Sequence, residues 1–386
     1  MKVSGAWIDA RGTQAICAAL TGAGWRALFV GGCVRNALLG VPVGDIDIAT
    51  DAPPLVVSDL CHAAGFKVVP TGIDHGTVTV VADGLPHEVT TFRRDVETDG
   101  RRAVVAFSDR IEEDAARRDF TMNALYAAPD GTVIDPLGGL PDLQARRLRF
   151  VGDPGQRIRE DYLRILRFFR FHAIYGDPAQ GIDAEGLAAC AEGAEGIAGL
   201  SAERIGAEMK KLLAAPDPAP AVAAMAQAGV LAQVLPGADA RALAPLVHLE
   251  AGRVPHWLRR LVVLGGVDVA DRWRLSRADA RGLERLRAAV ESGESPAVLG
   301  WRLQMDMASD ALLARAALLE MPLPAGWQAE IARGAAAVLP VKPADLMPAL
   351  QGQALGARLK EIEAFWCASD LTAGRDVLLR GAASSG

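Results

Sequence analysis

Two glycines, an arginine and two aspartates carry the chemistry this chain offers first. They lie in one stretch, from Leu28 to Thr50. The apolar run Ala27-Leu28-Phe29-Val30 reads as a strand and Gly31-Gly32 as a turn. Val34-Arg35-Asn36-Ala37-Leu38-Leu39 reads as a short helix closed by Gly40. A glycine turn before a helix lets backbone N–H groups approach an anion, and the helix start adds partial positive charge. After a turn at Pro42 and Gly44 come Asp45-Ile46-Asp47. Alternate residues of a strand face one side, so the two carboxylates stand together with Ile46 behind them. Adjacent carboxylates repel when both are ionised. A hard divalent cation relieves that repulsion, and Mg2+ is commonly held by one or two carboxylates plus substrate phosphates. A phosphate cradle beside such a pair implies a nucleoside triphosphate, metal-assisted phosphoryl chemistry and Mg2+ as cofactor. The plainer readings are a tight strand-to-helix turn and a solvated strand face. Both features in succession, joined by a helix carrying Arg35, favour the phosphate site.

Further candidates follow. Glu88 begins the β-branched run Glu88-Val89-Thr90-Thr91-Phe92, either as a third carboxylate beside the aspartates or as a solvated strand charge. Asp119 can accept from a ribose hydroxyl, Arg118 can reach a phosphate, and Asn123 can orient either. From Arg146 to His172 eight arginines stand against three acids. Within it, Glu160 to Phe171 reads as one helix, burying Leu163, Ile165, Leu166 and Phe169. Asp161 and Arg164 are three apart on that helix. They are either a weak i,i+3 ion pair or an acceptor and donor set that reads the Watson–Crick edge of a base without a template.

The elements that must position these residues come in two styles. Up to about residue 150, short β-branched runs alternate with helices. Helices are expected at 9–22 and from Pro53 to Ala64, a strand at Phe66–Val69, and a hairpin pairing Thr77–Val81 with Glu88–Phe92. Residues 93–110 are polar with Gly100 at the centre, and their first part, with Arg93, Arg94, Arg101 and Arg102, reads as a mobile loop. A helix start follows at Glu112. From about residue 180 the pattern is helical throughout. Helices are expected at 220–234, 240–251, 256–265, 276–292, 296–304, 308–320, 326–337, 343–349 and 353–368, and a disordered end at 381–386.

Composition bounds the function. The chain has 386 residues, enough for two or three domains, and 51% apolar and 23% charged residues are ordinary for a globular protein. A net charge of -6 argues against a nucleic-acid partner, but local patches decide such binding. No uninterrupted apolar run spans a bilayer, so no membrane association is expected. The N-terminus has no apolar export signal. Five widely spaced cysteines without a CxxC fit reduced thiols in the cytoplasm and argue against a disulfide frame or a zinc site.

GGCVRNALLG followed by DID resembles the signature of the DNA polymerase β-type nucleotidyltransferases. ARRDFTMNALY and EDYLRILRFFRF are similar to the bacterial-type (class II) tRNA nucleotidyltransferase and poly(A) polymerase family. The resemblance covers about residues 25–235, including LSAERIG and GVLAQVLP. It implies an α+β fold, with a small mixed-sheet catalytic head (1–146), a helical neck that recognises the base (147–215), and an elongated helical body and tail that bind tRNA (216–386). The implied activity is addition of CCA to the tRNA 3′ end from CTP and ATP by two-metal phosphoryl transfer. Asp45 and Asp47 would hold metal, with Glu88 as an added ligand. Gly31, Gly32 and Arg35 would contact the triphosphate, and Arg118, Asp119 and Asn123 the ribose and phosphate. Asp161, Arg164, Arg167 and Arg170 would contact the nucleotide base and its surroundings. The family usually has Asp where this chain has Asn36. A poly(A) polymerase or a C-adding or A-adding enzyme shares these motifs. A small-molecule nucleotidyltransferase and an inactive RNA-binding module are the more distant alternatives.

Overall fold

The computed structural model describes residues 1–98 and 103–381 and falls into two units, Met1–Val234 and the chain from Leu235. The first is mixed α/β. It runs α1 (Ala6–Asp9), α2 (Arg11–Gly22), β1 (Leu28–Val30), α3 (Gly32–Leu39), β2 (Ile46–Thr50), α4 (Pro54–Ala63), β3 (Lys67–Gly72), β4 (Thr77–Ala82), β5 (Leu85–Thr91), β6 (Arg93–Thr98) and β7 (Ala103–Phe107). Then follow α5 (Ile111–Ala116), β8 (Tyr126–Ala127), β9 (Val133–Ile134), α6 (Leu140–Gln144), α7 (Pro154–Glu160), α8 (Leu163–Tyr175), α9 (Ala184–Glu192), α10 (Ala202–Leu213), α11 (Ala219–Gln227) and α12 (Val230–Val234).

Seven strands form one sheet in the order β3-β4-β5-β2-β1-β8-β9. Only β2 and β5 run parallel; the other neighbours are antiparallel. Alternation sets the faces. In β4, Val78, Val80 and Ala82 are buried and the residues between them half-buried. β2 is more apolar and lies inside the sheet, with Ile46 and Ile48–Thr50 buried and Asp47 left partly open. Leu28, Val30, Ala49, Phe92, Ala124, Tyr126 and Val151 pack together in one core. A second apolar cluster ties the sheet to the helices that follow. Phe120 lies 5.0 Å from Phe150 and 5.3 Å from Phe171 (ring centroids), and Phe150 stacks on Phe168 at 5.3 Å.

The loop expected within 93–110 is in its described parts a two-stranded hairpin, β6 with β7. Val96, Val104, Val105 and Phe107 give this segment strand propensity that its charges mask. Gly100, Arg101 and Arg102 lie outside the described residues.

The second unit is helical: α13 (Leu243–Glu250), α14 (Trp257–Leu264), α15 (Val269–Arg272), α16 (Arg277–Glu291), α17 (Pro296–Leu318), α18 (Trp327–Ala335), α19 (Gly352–Ala368) and α20 (Arg375–Gly381). The break expected after residue 304 is a kink at Gln304 (φ 64°) inside α17. α17 and α18 meet through glycine. A Cβ on Gly334 would lie 1.8 Å from the Ala297 carbonyl oxygen, so the close crossing requires glycine there. The helix expected over 343–349 is only a 3-10 turn, Pro343–Asp345. α20 escapes the sequence pattern. Seven residues make a weak helix alone, and this one forms with Leu378 buried beside Ile362 and Trp366. Residues 382–386, part of the expected disordered end, lie outside the described residues. Among the described residues no helix is long and apolar enough to cross a membrane.

Candidate active site

The Gly31-Gly32 turn joins β1 to α3. Gly31 has φ +70°, a conformation glycine adopts without strain. A Cβ there would also sit 3.2 Å from Arg118 Nη1. Gly31 N–H is not a free donor, because it bonds the Leu125 carbonyl at 3.1 Å. The available amides are those of the first turn of α3, which have no intrahelical acceptor and no capping side chain. Gly31 thus serves the turn by its conformation, and Gly32 onward by donation.

Arg35 is 6% exposed, and all its hydrogen bonds end on neutral acceptors. Nε and Nη2 donate to Asn36 Oδ1 at 3.1 and 2.9 Å, Nη1 to Asn123 Oδ1, and Nη2 to the Tyr175 hydroxyl at 2.7 Å. Its guanidinium also lies 4.1 Å over the Tyr175 ring and 5.1 Å over Phe171. Burial lowers its pKa, while Tyr175 and Asp119 act to raise it. Asn36 explains itself here. Its Oδ1 faces Arg35 while its Nδ2 donates to the Pro42 carbonyl at 2.9 Å. An aspartate would pair with Arg35 but would face that carbonyl with another acceptor.

Asp47 lies on β2 and Asp45 in the exposed bend just before it. The parallel register sets Glu88 of β5 opposite Asp47. Burial, then Glu88 and Asp45, push the Asp47 carboxyl up to about 6, with Arg118 opposing them. That is the mark of a crowded carboxylate site that a cation would relieve. Among the described residues no three His, Cys, Asp or Glu side chains converge on a metal position, so Glu88 does not complete a three-ligand cluster. Two carboxylates with substrate oxygens suit Mg2+, whereas a closed all-protein cage is absent.

Arg118 reaches this turn from the segment after α5. It is fixed by Asp114 at 3.0 Å and the Tyr126 hydroxyl at 3.2 Å, and that pairing raises its pKa despite burial. Asp119, expected at the ribose, also has a role inside the protein. It is buried, accepting from Asn123 Nδ2 and Phe120 N–H at 2.9 Å each and from Arg167 Nε at 2.7 Å. It is a hub that holds Asn123 against Arg35 and Arg167 in place, and those bonds depress its pKa against the opposing effect of burial.

The single helix expected over 160–171 is two. Asp161 is extended (φ −156°, ψ 105°) between α7 and α8, and its Oδ1 accepts from Leu163 N–H at 3.1 Å. The i,i+3 ion pair does not form. Asp161 Oδ2 pairs with Arg204 of α10 at 2.7 Å. Arg164 pairs with Glu160 at 2.6 Å and donates to the carbonyls of Arg157 and Arg117. Both keep capacity for a ligand: Asp161 through its remaining lone pairs, Arg164 through Nε–H and one Nη2–H. Arg170 pairs with Glu208, also of α10. Arg204, Glu208 and Tyr175 were missed as site residues. The only sequence signal was the i,i+4 spacing of Arg204 and Glu208, which faces two groups of α8's end of the site together.

The chain is similar to known proteins along most of its length. Residues 27–149 match the family described as poly A polymerase head domain, and residues 181–241 the one described as probable RNA and SrmB- binding site of polymerase A. The CCA-adding enzyme of Geobacillus thermodenitrificans is 39% identical over 310 residues, 80% of this chain and 70% of that one. Human mitochondrial CCA tRNA nucleotidyltransferase 1 is 46% identical over 186 residues, 48% of this chain but only 43% of the human protein. The Bacillus stearothermophilus CCA-adding enzyme, solved in complex with CTP, superposes with a TM-score of 0.73 at 31% identity, covering 93% of each chain.

Proposed function

Because the chain belongs to the class II family of CCA-adding enzymes, we propose that it adds CCA to the 3′ end of tRNA from CTP and ATP, releasing pyrophosphate. The observation that carries the reading is one assembly in the first unit: a glycine turn, a buried arginine on neutral acceptors, and a crowded carboxylate pair at the start of the neighbouring strand.

Asp45 and Asp47 are the residues that would hold Mg2+. When bound, the metal lowers the pKa of the RNA 3′-hydroxyl and stabilises charge on the departing pyrophosphate. The amides at the start of α3 and Arg35 receive the phosphates, and Arg118 stands between them and Asp47. Asp161 and Arg164 present acceptor and donor to the base, with Arg204 fixing the carboxylate. Arg167 and Arg170 line the same helix, held by Asp119 and Glu208. None of these side chains needs to be a strong base, because in-line positioning and electrostatics supply most of the rate. Residues 1–146 act as the head, 147–215 as the neck that chooses the nucleotide, and 216–386 as the tRNA-binding part. Four of the five cysteines are buried free thiols, which suits the cytoplasm.

The test is incorporation of labelled CTP and ATP into tRNA ending at the discriminator base, at -C and at -CC, and into an unrelated RNA. Two C additions followed by one A, on tRNA alone, is the expected result. Long A tracts on any RNA would instead make the enzyme a poly(A) polymerase, and incorporation of one nucleotide only a partial CCA enzyme.

A further inference from the structure

Arg35 has five N–H donors. Nε–H and both Nη2 hydrogens are engaged, and one of the two on Nη1 is not. Asn36 and Asn123 cannot be turned to compete with it, because their amide N–H groups are committed to Pro42 O and Asp119 Oδ1. Tyr175 Oη accepts from Arg35, and its own hydrogen has no acceptor among the described residues. Arg35 Nη2 in turn lies 3.8 Å from where a Gly32 Cβ would be, at the mouth of the glycine turn. The Arg35–Tyr175 pair, with one hydrogen free on each partner and no carboxylate bonded to Arg35, therefore lies beside the start of α3. Tyr175 is half-buried, so its hydrogen is accessible to a ligand, and a buried cation without a carboxylate is costly. A tetrahedral oxyanion satisfies all three at once.

We propose that Tyr175, from the far end of α8, is a substrate-binding residue whose hydroxyl donates to the same phosphate oxygen cluster as Arg35. Asn36 belongs to the same device, since its neutral side chain orients Arg35 without cancelling its charge. The proposal rests on the nucleotide-binding reading of this site and adds a phosphate contact from the helix that also carries Asp161's neighbour Arg164. Phosphate binding and base choice thereby share one rigid element.

Tyr175→Phe keeps the ring under Arg35 and removes only the hydroxyl. Equilibrium titration of the full chain with CTP and with cytidine separates phosphate binding from base binding. The CTP dissociation constant should rise about fivefold, the effect of one hydrogen bond, with cytidine unchanged. KM for CTP and ATP should rise by the same factor, and the CTP-to-ATP preference and thermal midpoint should not move. Equal weakening of CTP and cytidine, a changed CTP-to-ATP preference, or unaltered CTP binding in Tyr175→Phe would overturn the proposal. If the wild-type chain binds CTP but transfers nothing to tRNA, the catalytic reading fails while these titrations still decide the role of Tyr175.

Discussion

Arg35 in the first unit and Arg259 with Arg260 in the second are all buried, at 6%, 4% and 1% exposure, yet they are treated in opposite ways. In the second unit both buried arginines have carboxylate partners. Glu250 pairs with Arg259 and Arg260 at 2.7 Å each, and Asp310 pairs with Arg259 and His256. In the first unit Arg35 has amides, a phenol and ring faces, but no carboxylate. Charge matched inside the protein fixes packing and is closed to a ligand. Charge held by neutral groups stays available to one. Arg167 and Arg170 fall between these extremes, since Asp119 and Glu208 pair with them and orient them beside α8.

The comparison can be broken at either end. Glu250→Ala removes the buried carboxylate that Arg259 and Arg260 share and should cost about 3–5 kcal/mol of stability, measured by denaturant unfolding, while CTP affinity of the remaining folded protein is unchanged. Arg35→Met should do the converse for ligand. Loss of a charged donor is expected to weaken CTP about 10- to 100-fold, from about 1.5–3 kcal/mol, whereas Arg260→Met should leave CTP binding as it was. Equal effects of the two arginines on CTP would erase the distinction.

A smaller effect is expected at the base. Asp161→Ala should blur the choice between CTP and ATP by about tenfold, from about 1–3 kcal/mol of discrimination, more than it weakens triphosphate binding. Arg204→Ala should move selectivity in the same direction. Unchanged selectivity in both would make the Asp161–Arg204 pair purely structural.

The smallest effect is in pH. The Asp47 carboxyl is raised to about 6 by burial and by Glu88 and Asp45. Its contribution to the stability of metal-free protein is therefore present below about pH 4 and is lost as pH rises through about 6. Mg2+ replaces the proton, so its affinity should rise over the same interval. Thermal midpoints of metal-free wild type and Asp47→Asn across this range check the sign, and only wild type should show the slope.

Local pattern made the turn, the strand pair and most helices legible. Asp45-Ile46-Asp47 and Gly31-Gly32 announce themselves because the groups that act together are close in sequence. The partners of Arg35 do not. Tyr175 lies 140 residues away and Asn123 88 residues away, and nothing in composition links them. The break at Asp161 was hidden because its neighbours keep helical spacing on both sides, and only the side-chain bond to Leu163 N–H reveals the turn. The hairpin of β6 and β7 was hidden by charge. The partners of Asp119 are not legible in the sequence, because Arg167 closes over it from 48 residues away. Resemblance supplied the role of α8, which spacing alone left between an ion pair and a base reader.

The most direct measurement is pyrophosphate release and label incorporation on tRNA lacking CCA, comparing wild type with the Asp45→Ala, Asp47→Ala double variant in Mg2+. Wild type should complete CCA and the variant should lose about 1000-fold or more, from the several kcal/mol a metal site supplies, with tRNA affinity retained. Turnover in the variant comparable to wild type would contradict the assignment of that metal site.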